Sequence, residues 1–255
     1  MGATPTEPTM SLWDHLRELR YRLIMSLAGV FVGMVIAWFL RKMILSMLMR
    51  PLQVLLPDYP GLTVLSLTEA FIFYIKISLF GGVVIASPWV FWHIWRFVAP
   101  GLYTHEKRAF LGIALFTVVC FLGGAYFGYR VLIPFMFRFL IGISQDFQLM
   151  ITTTSYLTFF MQLIVGVGLI FEMPVFALIL ARLGIITART LGRFWKFAIV
   201  GSFILAAVIT PSGDIVTQTV LAVPLIALYL ISILVAWIFG RRPAPVSEAT
   251  GEPTA

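Results

Sequence analysis

Three carboxylates in this 255-residue chain stand where acidic side chains are scarce, and each has a setting that could use it. Glu106 lies in 97–108, Phe-Val-Ala-Pro-Gly-Leu-Tyr-Thr-His-Glu-Lys-Arg, a turn and a titratable cluster between two apolar runs. Glu18 lies in His15-Leu16-Arg17-Glu18-Leu19-Arg20-Tyr21-Arg22, with Arg22 at i+4, the spacing of an ion pair on a helix. Glu172 is alone in a long uncharged stretch and is followed by Met173-Pro174. An interfacial carboxylate binds guanidinium through two parallel hydrogen bonds, so Glu18 and Glu106 suit a ligand that bears arginines. A charge at mid-membrane costs about 2.5–3.5 kcal/mol even on the forgiving insertion scale, so Glu172 should face a cavity or a partner. The plainer alternative is a neutral acid hydrogen-bonded within a bundle. Covalent or metal chemistry finds no support: His15, His93 and His105 fit no ligand spacing, and no nucleotide-binding loop or nucleophile elbow occurs. No catalytic residue, metal or cofactor is expected, and the chain does not read as an enzyme.

What must position these groups is a membrane. Hydrophobic residues make up 60% of the chain and charged ones 11%, with a mean hydropathy of +1.00, whereas charged residues are about a quarter of a soluble domain. Uncharged runs at 23–40, 77–95, 109–129, 147–171, 197–213 and 215–240 each approach or exceed the roughly 20 residues that cross hydrocarbon as helix. The ten-residue alternation of a membrane barrel is absent. The expected fold is all-α: a polytopic integral membrane protein with six transmembrane helices at about 23–40, 70–95, 109–133, 155–181, 194–210 and 214–239, forming a concave, cup-like bundle. An interfacial helix at 11–22 leads in, a polar extension covers 1–10, and 241–255 has the composition of a disordered tail.

The net charge of +7 reports orientation rather than nucleic acid, because the cations lie between spans and outside any nucleic-acid motif. Alternating the connections gathers Arg17, Arg20, Arg22, Arg96, Lys107, Arg108, Arg182, Arg189, Arg193, Lys196, Arg241 and Arg242 on one side, against Arg41, Lys42, Arg50, Arg130 and Arg138 on the other. Both termini are then cytoplasmic. No signal peptide is expected, since Met1 to Met10 lacks a basic n-region and the first apolar run ends at Arg41-Lys42. The lone Cys120 lies in an apolar run and reads as a small core residue.

Local signals refine this frame. Leu12, Leu16, Leu19 and Leu23 recur at helical spacing, with Asp14, Arg17, Glu18 and Arg22 on the polar side. Residues 41–68 read as a long outer connection rich in turn residues. Gly124 and Gly128 have the spacing that lets helices approach closely, and Thr152 to Ser155 offer oxygens to cap a helix. Pro174 removes the donor that the Ile170 carbonyl would otherwise accept, which should kink the span beside Glu172. The fifth span is short, implying a thinned bilayer or a shielding partner.

In these three segments the chain resembles the TatC subunit of the twin-arginine protein translocase. His15 to Arg22 is similar to the family's N-terminal motif, 97–108 to its first cytoplasmic loop motif, and Phe171-Glu172-Met173-Pro174 to its mid-span motif; Arg50-Pro51-Leu52 and 210–218 match more weakly. The resemblance runs in order from about Leu12 to Gly240. It implies a core receptor subunit in the bacterial cytoplasmic (inner) membrane that binds twin-arginine signal peptides and moves folded proteins across, using the proton-motive force. The partners it implies are TatA-type and TatB-type single-span subunits, membrane lipid and further copies in an oligomer, with no nucleic acid. Carried over by position, Glu106 binds the arginine pair with help from Glu18, Arg20 and Phe97, Thr210 and Gln218 face a partner helix, and Glu172 is the polar group of the concave face. Two other classes stay open on the residues alone: a proton-coupled secondary transporter using Glu172, against which no internal repeat is visible, and a structural membrane scaffold.

Overall fold

The computed structural model describes residues 12–98 and 107–240, with side chains at 13–97 and 111–240. In chain order the helices are α1 (Leu12–Phe39), α2 (Arg41–Leu55), α3 (Glu69–Val98), α4 (Lys107–Phe127), a π-helical turn (Gly128–Leu132), α5 (Ile133–Ile143), α6 (Thr153–Ile170), α7 (Met173–Arg182), α8 (Ala188–Arg193), α9 (Trp195–Ile209) and α10 (Ile215–Phe239). Five stretches are long and apolar enough to cross a membrane, Trp13–Phe39, Glu69–Phe97, Leu111–Ile143, Thr153–Arg182 and Ile215–Phe239, and Trp195–Ile209 is a shorter apolar sixth. This is an all-α, polytopic membrane architecture. The extension 1–10, Ser11 and the tail 241–255 lie outside the described residues.

Three local expectations change. The amphipathic segment and the first span are one unbroken helix, α1, because nothing between Leu12 and Gly29 interrupts the helical pattern. The connection at 41–68 is not all loop: α2 covers Arg41–Leu55 with Pro51 inside it. Pro51 has no N–H to give the Met47 carbonyl one turn back. The Tyr129 hydroxyl, from the π-helical turn, donates to that carbonyl at 2.9 Å and replaces the missing donor. The third span also runs further than 133. The ladder widens at Gly128–Leu132, where the Ile133 N–H reaches the Gly128 carbonyl, and the helix continues past Pro134 to Ile143. Arg130 and Arg138 therefore stand on helix rather than in an outer connection.

Packing is closest between α1 and α3. A Cβ at Gly33 would lie 2.6 Å from the Gly82 carbonyl oxygen, so only glycine lets these two backbones meet. The most buried side chains sit deeper, where Phe160 and Leu163 of α6 meet Leu221 and Leu225 of α10 and Ile133 and Met136 of α5 in one apolar cluster. Gly124 and Gly128 of the third span face α6, against Phe171 and Ile164 respectively, as their spacing implies. At the opposite end from the 97–108 loop, the Glu69 carboxylate accepts from the Thr153 and Thr154 hydroxyls, the Thr154 N–H and the Leu65 N–H. That carboxylate locks the start of α3 to the start of α6. Thr152 caps α6 by accepting from the Ser155 N–H.

Candidate functional site

The surface half of the site lies where α1 begins and α3 ends. The rings of His15 and Phe97 stack with centroids 4.4 Å apart and planes 24° from parallel, joining two segments more than eighty residues apart in the chain. Glu18 is three residues after His15, on the same face of α1. Its Oε1 accepts from Arg22 Nη2 at 2.7 Å and Nε at 3.3 Å, and the pair is only partly exposed. Among the described residues Oε2 takes no hydrogen bond. Arg20, two residues on from Glu18, is exposed. Glu106 and its neighbours in the loop lie outside the described residues, but both ends of that loop are anchored. Trp89 Nε1 donates to the Met25 carbonyl at 2.9 Å, fixing α3 to α1. Trp95 Nε1 donates to Thr117 Oγ1 at 2.8 Å, fixing α3 to α4, and the Thr117 hydroxyl donates in turn to the Ile113 carbonyl at 3.0 Å.

The interior half is Glu172. It occupies a two-residue turn between α6 and α7, with Pro174 in the first turn of α7, so the helical ladder is interrupted where the kink is expected, while Phe171 and Glu172 keep helix-like dihedrals and the span continues to Arg182. The residue is 2% exposed, and neither carboxyl oxygen has a well-formed hydrogen bond among the described residues, although the Phe121 backbone of α4 lies beside it. A buried carboxyl without partners is costly and singles out a place where water or a polar group from another molecule belongs. The two halves are separate: one carboxylate is paired at the surface, the other unpaired in the interior.

Comparison with known proteins decides what these features belong to. The family model for Sec-independent protein translocase protein TatC matches residues 14–224. The TatC of Aquifex aeolicus (strain VF5) is 39% identical over 246 residues, covering 94% of this chain and 100% of that protein. The TatC of Koribacter versatilis (strain Ellin345) is 39% identical over 232 residues, covering 90% of this chain and 86% of that protein. A crystal structure of the twin arginine translocase receptor TatC superposes with a TM-score of 0.78 at 39% identity, covering 87% of this chain and 97% of that one. The chain belongs to the TatC family. It is a multi-pass protein of the bacterial inner membrane and a component of Sec-independent protein translocation.

Within this TatC protein, Thr210 and Gln218 stand at the end of the bundle opposite the 97–108 loop, at the turn between α9 and α10. Thr210 is 3% exposed, and its hydroxyl donates to the Ala206 carbonyl at 2.6 Å. Gln218 Nε2 donates to the Phe203 carbonyl at 2.7 Å, across from α10 to α9. Both groups already have work inside the chain, and Gln218 is the more accessible of the two.

The residue pattern assigns no role to His15, Thr117 or His93 beyond excluding the two histidines as metal ligands. His93 is 6% exposed, packs edge-on against Trp89 with centroids 4.7 Å apart, and has no hydrogen-bond partner on either ring nitrogen among the described residues. Its sequence signal was a lone polar residue inside a tryptophan-rich helix end. Thr117 gave less warning still, since a threonine in an apolar run is more often bonded only to its own helix.

Proposed function

We propose that this TatC protein is the receptor of its translocase and binds the arginine pair of a signal peptide at the surface formed by Glu18, Arg20, Phe97 and the loop residue Glu106. The observation that carries this reading is the His15–Phe97 stack, which brings the α1 motif against the start of the loop motif and leaves Glu18 one turn along the same face. Glu106 supplies the principal carboxylate. Glu18 supplies a second one, by sharing Oε2 or by exchanging Arg22 for an incoming guanidinium. The exchange costs little, because a pair at i and i+4 on a helix contributes only about 0.3–0.5 kcal/mol. With both termini cytoplasmic this surface meets cargo before transport. TatA-type and TatB-type single-span subunits then join, with Gln218 the group that a partner helix meets and Thr210 holding the turn behind it, and the proton-motive force drives passage. Glu172 is the polar group of the concave face. The chain performs no covalent chemistry in this scheme.

A two-by-two binding experiment tests the receptor reading. Wild type and Glu106→Ala are each titrated with fluorescent signal peptides carrying Arg-Arg or Lys-Lys. Each charge-assisted contact to guanidinium contributes roughly 1.5–3 kcal/mol, so Glu106→Ala should lose about ten- to hundredfold in affinity per contact. Lys-Lys should weaken binding far more in wild type than in the variant. Strictly additive losses would mean that Glu106 and the arginine pair do not meet.

A further inference from the structure

The helix ends around α7 to α10 are not level. Gly240, just after α10, packs on Ala181, whose Cβ lies 3.5 Å from where a Gly240 Cβ would be, and the Arg182 guanidinium carbon stands 5.8 Å from the Phe239 ring centroid. The ends of α7 and α10 therefore share one depth. Helix α8 does not share it. The Leu191 carbonyl of α8 accepts from the Tyr229 hydroxyl at 2.6 Å. Tyr229 precedes Phe239 by ten positions, which is about 15 Å back along α10. Helix α9, which leaves α8 after Phe194, has 15 residues, about 22 Å of helix against a hydrocarbon core of about 30 Å. α8 is a shelf sunk below the end of the bundle, beside a turn of α10 that is still within its apolar span.

Three cations lie on this shelf and the first turn of α9. Arg189, Arg193 and Lys196 are all exposed, and no ion pair joins them to an acidic side chain among the described residues. No aspartate or glutamate occurs between Glu172 and Asp214. Arg189 and Arg193 are four residues apart on α8, an arrangement that repels unless an anion lies against it. Apolar side chains surround the charges: Ile185 is 66% exposed and Phe197 73%, while the Lys196 ammonium sits 5.9 Å from the half-exposed Trp195 ring. A soluble anion would satisfy the cations and leave the apolar groups in water. A plain acyl chain would do the reverse. A lipid with an anionic headgroup matches both, with its phosphate at the cations and its chains along Ile185, Trp195 and Phe197.

We propose that the α8 shelf binds the headgroup phosphates of anionic membrane lipids through Arg189, Arg193 and Lys196. The full-length protein is purified into micelles containing equal phosphatidylglycerol and phosphatidylcholine, and retained lipid is counted by native mass spectrometry. Wild type should keep phosphatidylglycerol selectively. The triple variant R189Q/R193Q/K196Q should lose about hundredfold in affinity for it, at roughly fivefold per cation. R189K/R193K, which keeps the charge, should retain most of the binding, and equal gel-filtration profiles for the three proteins separate lost binding from lost folding. Equal phosphatidylglycerol retention by wild type and the folded triple variant overturns the proposal. So does displacement of the lipid by millimolar inorganic phosphate, which would make this a site for a soluble anion. Unchanged lipid with loss of a co-purifying single-span subunit from the triple variant also overturns it, assigning the shelf to an acidic protein segment.

Discussion

Helix α1 and the broken span α6–α7 each carry one carboxylate of the candidate site, in opposite circumstances. Only 11% of the apolar window of α1 is buried, whereas 61% of that in Thr153–Arg182 is. Glu18 is partly exposed and paired with an arginine of its own helix. Glu172 is enclosed, unpaired and set in a break between helices. The difference teaches where each can act. A carboxylate held by a nearby cation at the surface can exchange that cation for a ligand's guanidinium with little net change in stability. A carboxylate enclosed without a partner cannot exchange anything, and its burial is a standing cost that only an entering polar group relieves.

Charge reversal at the surface should break the comparison most strongly. Glu18→Lys sets a fourth cation beside Arg17, Arg20 and Arg22, so signal-peptide affinity should fall by at least about a hundredfold, the loss of one charge-assisted contact plus repulsion. Thermal stability should change by less than about 1 kcal/mol, because a pair at i and i+4 on a helix contributes only about 0.3–0.5 kcal/mol. Peptide titration and a melting curve in the same detergent check both halves of this statement. A large loss of stability with binding intact would show that Glu18 is a brace rather than a contact.

The interior carboxylate should show the reverse pattern. Glu172→Leu removes an unsatisfied buried group, so melting should be unchanged or raised by about 1–3 kcal/mol. Transport of a twin-arginine reporter should fall. Glu172→Gln keeps donor and acceptor capacity and should retain more transport than the leucine variant. Full transport by Glu172→Leu would make the position a bystander.

A smaller effect is expected where the two regions are joined. Thr117→Val removes the acceptor of Trp95 Nε1 and strands a buried indole donor. The loss should be about 1–3 kcal/mol of stability, seen as a lower melting temperature, with weaker signal binding because α3 and α4 flank the loop that carries Glu106. Serine at this position should restore both.

The spans and the carboxylates were legible because each rests on chain-local information. Long uncharged runs mark helices, Pro174 marks the break at Glu172, and Glu18 with Arg22 is a pair one helical turn apart. What the sequence hid depends on partners distant in the chain. Helix α2 looks like a loop because 41–68 is rich in turn residues, and the donor that Pro51 cannot give to Met47 comes from Tyr129. The continuation of the third span past Pro134 needs a widened turn that no composition announces. The depth of α8 is fixed by Tyr229 on another helix, so its cations read from sequence as an orientation signal alone. The His15–Phe97 stack was invisible for the same reason, although both flanking motifs were recognised.

The smallest effect concerns a carboxylate outside the candidate site, whose partners are neighbours in the chain rather than a ligand or an empty interior. Asp214 caps α10, accepting from the Thr217 N–H at 2.7 Å and the Thr217 hydroxyl at 2.6 Å. Partial burial raises its pKa, but the hydrogen bonds from Thr217 and Ser212 outweigh that and hold it below the ordinary aspartate value. A group whose folded-state pKa is depressed adds stability above its unfolded pKa of about 3.9 and loses that stability as pH falls through the folded value. Asp214→Asn should therefore melt below wild type at pH 6, and the gap should narrow as pH is lowered from about 5 toward 3. Melting curves of the two proteins over that range give the answer. A gap that stays constant with pH would show that Asp214 acts through the shape of its cap and not through its charge, whereas a gap that closes shows that the charge is what the cap uses.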